Sequence, residues 1–320
     1  MFVDAGLRDM LRASRGQHLV HGRTIDDLRA EVAARAHSSP PGPDIDRVLD
    51  TTVRGRDGLI PVRVYEPRDA AGIVIAFHGG GWVSGGLDQF DATARHLASA
   101  SGQAVVSVDY RLAPESPFPA AFEDACDVLA FFDGPNDIWP GMPRPLAVFG
   151  ESAGANLAAA AALAADDLDI HHLVHQVLVY PVLDVTASGG SIDRYGTNFL
   201  LTKEDLATFT SAYVGNTGTD GFDWRLSPLH ATVDARTAPA LIVSAALDPV
   251  SDQAERYAEK LSAAGVVVTH VTYQGVPHLF FGMRGLTPAS ATAQDHVARV
   301  LRRALTAAAA TGSAHAAWED

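Results

Sequence analysis

Residues 146–165 read LAVFGESAGANLAAAAALAA: a short apolar run, the pentapeptide Gly150–Gly154 and an alanine-rich stretch. The apolar run predicts a buried strand, and the alanines predict a helix. A G-x-S-x-G pattern between a strand and a helix predicts a sharp turn that presents Ser152 above the sheet as a nucleophile. Glycine is expected at both ends of the pattern, because a Cβ atom there would strike the neighbouring strand or helix. The alternative is an ordinary tight turn that carries a serine by chance.

Strand-like and helix-like segments alternate on both sides of this turn. Further short apolar runs, which predict strands, lie at 73–77, 104–108, 176–180, 241–244 and 266–273. An Asp-Gly turn predicts a hairpin of 46–54 with 59–66. The other helix-like segments are 90–100, 119–132, 251–264 and 288–309. This alternation predicts an α/β fold with a mostly parallel sheet of about eight strands, flanked by helices on both faces.

Two segments do not follow the alternation. Residues 1–37 have helical spacing and precede the breaker cluster SSPPGPD, so they are expected to form one or two helices of a lid or an edge. The stretch 185–236 is long and rich in Gly, Thr and Asp, with one helix-like piece at 203–213. Insertions of this kind build pockets in α/β enzymes.

A glycine run, His78-Gly79-Gly80-Gly81-Trp82, follows the predicted strand 73–77. Three consecutive glycines allow backbone N–H groups to turn toward an anion, such as the oxyanion that forms during acyl transfer. The alternatives are a flexible loop or a phosphate cradle. The run lacks the Gly-Lys-Ser/Thr ending of a P-loop and does not match G-x-G-x-x-G, which weakens the nucleotide hypothesis.

A nucleophilic serine needs a base and an acid that orients the base. Among the 13 histidines, His278 is favoured because it follows the last predicted strand and therefore lies level with Ser152. Asp248 follows the strand before it. Its rival, Asp252, is expected in the first turn of the next helix, where a carboxylate favours the helix dipole. The chain order serine, aspartate, histidine is that of α/β hydrolases.

Other histidines offer alternatives. His270 lies inside an alternating strand, so a structural role is expected for it. His171, His172 and His175 resemble a metal cluster, but no nearby carboxylate in the sequence completes the ligand set. The sequence therefore predicts no metal site.

Composition and charge exclude several classes of protein. Lys and Arg total 24 against 38 Asp and Glu, and a net charge of −14 repels phosphate backbones, so no nucleic-acid partner is expected. The single cysteine, Cys126, cannot form an intramolecular disulfide. Charges interrupt the apolar core that an N-terminal signal peptide needs, and the longest apolar run, 153–165, is too short to span a bilayer. We predict a cytoplasmic protein without a membrane span.

Seven segments in chain order carry a family resemblance. They are HGGGW (78–82), DYRLAPESPFPAAFED (109–124), GESAG (150–154), YPVLD (180–184), LSPL (226–229), LDPVSDQ (247–253) and VPHLF (276–280). Together they resemble the bacterial hormone-sensitive-lipase-like esterases of the α/β-hydrolase superfamily. The resemblance implies the α/β-hydrolase fold with a helical cap, made from residues 1–40 and an insertion at 186–223, on a core of residues 41–320.

The resemblance also implies roles for individual residues. Ser152 would be the nucleophile, Asp248 the orienting carboxylate and His278 the general base and acid. Backbone N–H groups would form the oxyanion hole; they belong to Gly80, Gly81 and Ala153. The chain departs from the common family pattern at three places: Glu151 in the elbow, Leu279 after the histidine, and Asp252-Gln253 in the acid block.

The expected function is that of a serine carboxylesterase, which hydrolyses short- to medium-chain carboxylic esters through an acyl-enzyme and needs no metal or organic cofactor. The alternatives are an amidase or peptidase on the same scaffold and a non-catalytic ligand-binding relative. The substrate would be a small molecule, and a homodimer is a possible assembly. Candidate pocket residues, for which core packing is the equal alternative, are Trp82, Tyr180, Leu201, Tyr213, Leu279 and Phe281.

Overall fold

The computed structural model describes residues 2–38, 41–139 and 145–311. Its strands are β1 (Arg47–Gly55), β2 (Gly58–Glu66), β3 (Ile73–Phe77), β4 (Ala104–Val108), β5 (Leu146–Glu151), β6 (Leu173–Val179), β7 (Ala240–Leu247) and β8 (Val268–Pro277). Its helices are α1 (Arg8–Ala13), α2 (Ile25–Ser38), α3 (Leu87–Ser101), α4 (Ala120–Asp133), α5 (Ala153–Ala164), α6 (Gly190–Tyr195), α7 (Lys203–Val214), α8 (Ser251–Ala263) and α9 (Pro288–Thr311).

The eight strands form one sheet in the order β1-β2-β4-β3-β5-β6-β7-β8. Strand β2 pairs antiparallel with β1 and with β4, whereas all pairs from β4 to β8 are parallel. The β1–β2 hairpin closes through Arg56 and Asp57, since Gly55 pairs with Gly58. The predicted α/β fold and its mostly parallel sheet are therefore confirmed.

Helices cover the sheet on both faces, which explains why its central strands are apolar throughout. All five residues of β3 and all five of β4 are buried. Alternate residues of β5 enter opposite cores: Val148 packs in the cluster with Leu157 of α5, and Phe149 packs in the cluster with Leu301 of α9. A strand that is buried on both faces has a continuous apolar sequence instead of alternating polar and apolar residues.

Parallel pairing brings the carboxyl ends of β3, β5, β7 and β8 to one edge of the sheet. The glycine run starting at His78 follows β3, and Ser152 follows β5. Asp248 follows β7 directly, and His278 follows β8 directly. Ligand sites of open α/β sheets lie at this edge. Each predicted catalytic residue follows a different strand and therefore lies at this edge.

Several element bounds differ from the predictions. Strand β8 runs four residues beyond residue 273, to Pro277, because its pairing with β7 continues past an irregularity. The short helix α6, within the long segment 185–236, was not predicted. Residues 1, 39 and 40, and with them the predicted boundary at residue 40, lie outside the described part of the chain.

None of the helices in the three described ranges combines the length and apolarity that crossing a membrane requires.

Two buried histidines make the fold sensitive to acid. Burial lowers the pKa of His78, next to β3, and of His175, in β6, to about 4 each. An unfolded histidine has a pKa of about 6.5. Between these values the unfolded chain binds protons and the folded chain does not, so the free energy of unfolding falls as the pH falls. The slope is up to about 1.4 kcal/mol per pH unit for each histidine.

We expect His175→Leu to make this acid dependence shallower by up to about 1.4 kcal/mol per pH unit, the contribution of one such histidine. The substitution loses no hydrogen bond, because neither ring nitrogen of His175 has a partner within the described ranges. Urea unfolding at pH 7 and pH 5 measures the effect. A variant whose stability declines with acid as steeply as that of the parent would contradict the assignment.

Candidate active site

Ser152 occupies a strained turn between β5 and α5. Its backbone angles are φ 54° and ψ −119°, a region that side chains rarely adopt. A Cβ atom at Gly150 would lie 2.1 Å from the oxygen of Gly154, and one at Gly154 would lie 2.1 Å from the oxygen of Phe77. Both glycines are thus required by close backbone contacts, as expected from the sequence. The turn also places Ser152 at the N-terminus of α5.

Ser152, His278 and Asp248 form one chain of hydrogen bonds. The Oγ atom of Ser152 lies 2.8 Å from Nε2 of His278, and Nδ1 of His278 lies 2.7 Å from Oδ2 of Asp248. The other Asp248 oxygen accepts the N–H of Val250 at 3.0 Å. All three catalytic candidates are buried, with Ser152 the most exposed at 8%. A carboxylate so placed keeps the proton of His278 on Nδ1, which leaves Nε2 free to accept the serine proton.

The three residues predicted to supply oxyanion-hole amides, Gly80, Gly81 and Ala153, lie on the wall of the cavity that contains Ser152. In the part of the chain that the structure describes, none of their N–H groups donates to a protein acceptor. Gly81 has a φ of 62°, and a Cβ atom there would lie 2.3 Å from the ring of Phe209. Donors without partners beside a nucleophile can stabilise a developing oxyanion.

A second carboxylate, that of Glu151, lies behind the histidine. It accepts the Tyr180 hydroxyl at 3.0 Å, and the Tyr180 ring lies 4.5 Å from the imidazole of His278. Burial raises the pKa of Glu151, although the hydrogen bond from Tyr180 opposes this shift. Tyr180 therefore links Glu151 to the imidazole by one hydrogen bond and one ring contact.

The cavity above Ser152, which we call the Ser152 cavity, is small. Its volume is about 50 Å³, a few times the 10–15 Å³ or so that one water molecule requires. Apart from the serine, the histidine and the three amides, its walls are apolar: Leu19, Trp82, Val182, Leu201, Leu206, Phe209 and Leu279. Such a chamber accepts a short apolar group next to the serine.

The predicted pocket residues divide into two sets. Trp82, Leu201 and Leu279 lie on the cavity wall. The other three lie behind it: Tyr213 is stacked on Trp82 at 4.6 Å, Tyr180 contacts His278, and Phe281 packs against Phe149. For Tyr180, Tyr213 and Phe281 the structure thus favours the alternative of packing over direct lining.

Two segments distant in sequence meet over this cavity. Leu19 comes from the N-terminal segment (residues 2–38), and Leu201, Leu206 and Phe209 come from the insertion (residues 186–223). Asp205 joins them: its Oδ1 accepts the backbone N–H of Val20 at 2.8 Å and that of His21 at 3.0 Å.

The N-terminal segment also contacts the loop that carries the amides. The guanidinium of Arg29 donates to the carbonyl oxygens of Val83 at 2.7 Å and Ala113 at 2.9 Å, and it pairs with Glu115. This ion pair lowers the pKa of Glu115 to about 2.

Four wall residues were missed by the sequence reasoning: Leu19, Val182, Leu206 and Phe209. The spacing of Leu206 and Phe209, three apart on the predicted helix 203–213, is a signal that could have identified them as one inward face. Leu19 and Val182 lie outside regular elements, where no helical spacing marks an inward face, although Val182 belongs to the YPVLD segment of the family resemblance.

The rival residues lie elsewhere. Asp252 caps a neighbouring segment, since its carboxylate accepts the N–H of Ser191 at 2.8 Å and pairs with Arg194. His270 shares a hydrogen bond with Ser244 of β7 at 2.8 Å. A carboxylate does lie near the histidine cluster, contrary to the sequence reasoning: Asp133 is 3.1 Å from Nδ1 of His172. Even so, among the residues described no group of three or more has the arrangement of a metal site.

Comparisons with known proteins agree with this geometry. A family model described as the α/β hydrolase fold matches residues 74–282, more than half of the chain. The carboxylic ester hydrolase LipN of Mycobacterium tuberculosis is 38% identical over 94% of this chain and 82% of its own length. An ethyl acetate hydrolase of Pseudomonas putida is 38% identical over 82% of each chain.

Solved structures give the same result. A hyperthermophilic esterase from the archaeon Pyrobaculum calidifontis superposes with a TM-score of 0.86 at 33% sequence identity, covering 95% of this chain and 99% of that one. The strand order, the elbow and these matches together lead to one conclusion: the chain belongs to the hormone-sensitive-lipase-like family of α/β hydrolases.

Proposed function

We propose that the protein is a serine carboxylesterase that hydrolyses short- to medium-chain carboxylic esters through an acyl-enzyme on Ser152. The observation that carries this proposal is the hydrogen-bonded series Ser152–His278–Asp248 in one cavity with Gly80, Gly81 and Ala153. The relatives named as ester hydrolases support the same reaction.

The first half-reaction forms the acyl-enzyme. Ser152 Oγ attacks the ester carbonyl carbon while His278 Nε2 takes the hydroxyl proton. The carbonyl oxygen becomes an oxyanion beside the N–H groups of Gly80, Gly81 and Ala153. When the C–O bond to the alcohol breaks, His278 gives its proton to the leaving oxygen.

The second half-reaction releases the acid. Water attacks the acyl-enzyme while His278 takes one of its protons, and collapse of the second tetrahedral intermediate returns that proton to Ser152. Asp248 stabilises the imidazolium in both halves without becoming protonated. All proton transfers thus use groups of this chain and one water molecule.

We further propose that the N-terminal segment and the insertion act together as the cap of the enzyme. Leu19 on one side and Leu201, Leu206 and Phe209 on the other supply apolar surface over Ser152, and Asp205 ties the two parts together. Exclusion of water from the cavity would strengthen the electrostatic stabilisation of the oxyanion. The small volume of the chamber supports a preference for short acyl groups.

The reaction class is tested by comparing aryl esters with matched anilides, and by labelling with a fluorophosphonate. We expect rapid ester hydrolysis, little anilide cleavage, and covalent labelling of Ser152. Faster cleavage of the anilides would favour an amidase on the same scaffold. A folded protein that neither turns over esters nor reacts at Ser152 would instead be a ligand-binding relative.

The homodimer and the cytoplasmic location stay predictions. Light scattering after size exclusion measures the first, and fractionation of the source cells measures the second.

A further inference from the structure

A second and much larger cavity adjoins the Ser152 cavity. Its volume is about 680 Å³, within the usual range of about 300–1,000 Å³ for ligand pockets. It lies between helix α7, helix α6 and the loop that follows β6. Two residues, Val182 and Leu206, line both cavities. The side chains of these two residues therefore form the wall between the chambers.

The helical period of α7 explains how one helix serves both chambers. One stripe of α7 faces the second cavity: Lys203, Leu206, Ala207, Thr210, Ser211 and Val214. A different pair, Leu206 and Phe209, faces the Ser152 cavity. Residues three and four apart share a helix face, and Leu206 belongs to both sets. Its isobutyl group stands at the border of the two faces.

The character of the second cavity suits an alkyl chain. Valine, isoleucine and leucine side chains form part of its lining, from Val182, Val185, Ile192, Leu206 and Val214. Polar residues line much of the rest: Asp184, Thr186, Ser188, Asp193, Lys203, Thr210, Ser211, Thr219 and Gln253. Such a lining can cover a chain that enters from the Ser152 side while its far end approaches solvent.

We propose that Leu206 and Val182 set the chain-length limit of the enzyme, and that the second cavity receives the distal alkyl chain of an ester when this wall opens. This inference rests on the proposed esterase function. With the wall closed, the chamber of about 50 Å³ admits only the part of the ester next to the carbonyl. The alkyl chain can belong to the acyl group or to the alcohol, and the two arms of the experiment separate these sources.

The test measures kcat/KM on two series of substrates: p-nitrophenyl acetate, butanoate and octanoate, and the ethyl and octyl esters of acetic acid. Burial of one methylene corresponds to about a fourfold gain. We expect Leu206→Ala to raise the long-to-short ratio of kcat/KM by about tenfold or more in one series. A gain in the first series assigns the cavity to the acyl chain, and a gain in the second assigns it to the alcohol.

Two further variants distinguish access to the second cavity from simple enlargement of the Ser152 cavity. Leu201→Ala removes the same side-chain atoms from the Ser152 cavity, but Leu201 does not line the second cavity. We expect it to leave the octyl preference nearly unchanged. Adding Ala207→Phe to Leu206→Ala fills the second cavity from an exposed position of α7, and we expect it to abolish the gain. Val182→Ala opens the same wall from the opposite side if Leu206→Ala folds poorly.

The outcomes separate this inference from the proposed function. If the unaltered protein hydrolyses acetate esters but neither wall variant changes the ratio, the inference is wrong and the function stands. An equal gain in Leu201→Ala would also overturn it. If the unaltered protein hydrolyses no ester, the proposed function is wrong. Calorimetric titration with octanoic acid then still compares the wall variants with the parent without turnover, and equal affinities would overturn the inference.

Discussion

Ser152→Ala is expected to reduce kcat by about 10⁶-fold, the loss seen when the nucleophile of a serine hydrolase triad is removed. In the proposed mechanism the hydroxyl oxygen forms the acyl bond, so its removal leaves only the amides and the cavity to act on substrate. Stability should change little, because alanine removes one oxygen from a site where the backbone strain is retained. Steady-state hydrolysis of p-nitrophenyl acetate and a thermal melt of the same sample measure the two quantities.

A second Ser–His pair in the same chain supplies a matched control. Ser244 and His270 share a hydrogen bond of 2.8 Å, equal to that between Ser152 and His278. Ser244 lies within β7, and the Ser152 cavity does not include it. We expect Ser244→Ala to retain turnover. Substantial hydrolysis by a folded Ser152→Ala protein, or loss of activity only in Ser244→Ala, would contradict the nucleophile assignment.

Asp248→Asn is expected to lower kcat by about 10⁴-fold with little change in structure. Asp248 accepts the Nδ1 proton of His278 at 2.7 Å. Asparagine, held by the same Val250 N–H, can present its NH₂ group to Nδ1, which then becomes an acceptor. The imidazole proton would move to Nε2, and the serine would have no base. Rates of acyl-enzyme formation, measured by the burst of p-nitrophenol, should fall together with kcat.

Asp252→Asn is the control for the loss of one carboxylate near β7. Asp252 contacts Ser191 and Arg194, near the two ends of helix α6, and His278 bonds to Asp248 instead. Its substitution should lower stability modestly and leave the burst rate close to that of the parent. If instead Asp252→Asn lost activity and Asp248→Asn kept it, the orienting carboxylate would have been misassigned.

The sequence predicted most of what lies at the carboxyl ends of the strands. Ser152, Asp248 and His278 each follow a short apolar run within a few residues, so local pattern was enough to place them at one edge of a parallel sheet. The local sequence pattern did not predict the order of the strands in the sheet. That β4 lies between β2 and β3 depends on pairing between residues 31 to 46 positions apart in sequence, which apolar periodicity does not encode.

The roles of aromatic residues were equally hard to predict. Trp82 and Tyr213 are both large aromatic residues, and the sequence does not distinguish their roles. In the structure Trp82 lines the Ser152 cavity, whereas Tyr213 stacks on Trp82 and is not on the cavity wall. Which ring faces the substrate depends on the direction of two side chains that pack together from distant segments. Loop residues such as Leu19 gain their place through tertiary contacts of their neighbours, among them the contact of Asp205 with the backbone of residues 20 and 21.

That contact has a consequence for protein engineering. Asp205 recognises main-chain N–H groups, so this joint does not itself select the side chains at residues 20 and 21. Those side chains add separate contacts, since Val20 is buried in the core and His21 lies 3.2 Å from the hydroxyl of Thr208. A chimera that takes the N-terminal arm of a relative can therefore keep the joint provided that the donor arm presents two amides at the same place. A chimera whose replacement for α7 has no carboxylate at position 205 loses the acceptor for both amides, and the two parts must then be exchanged as one unit.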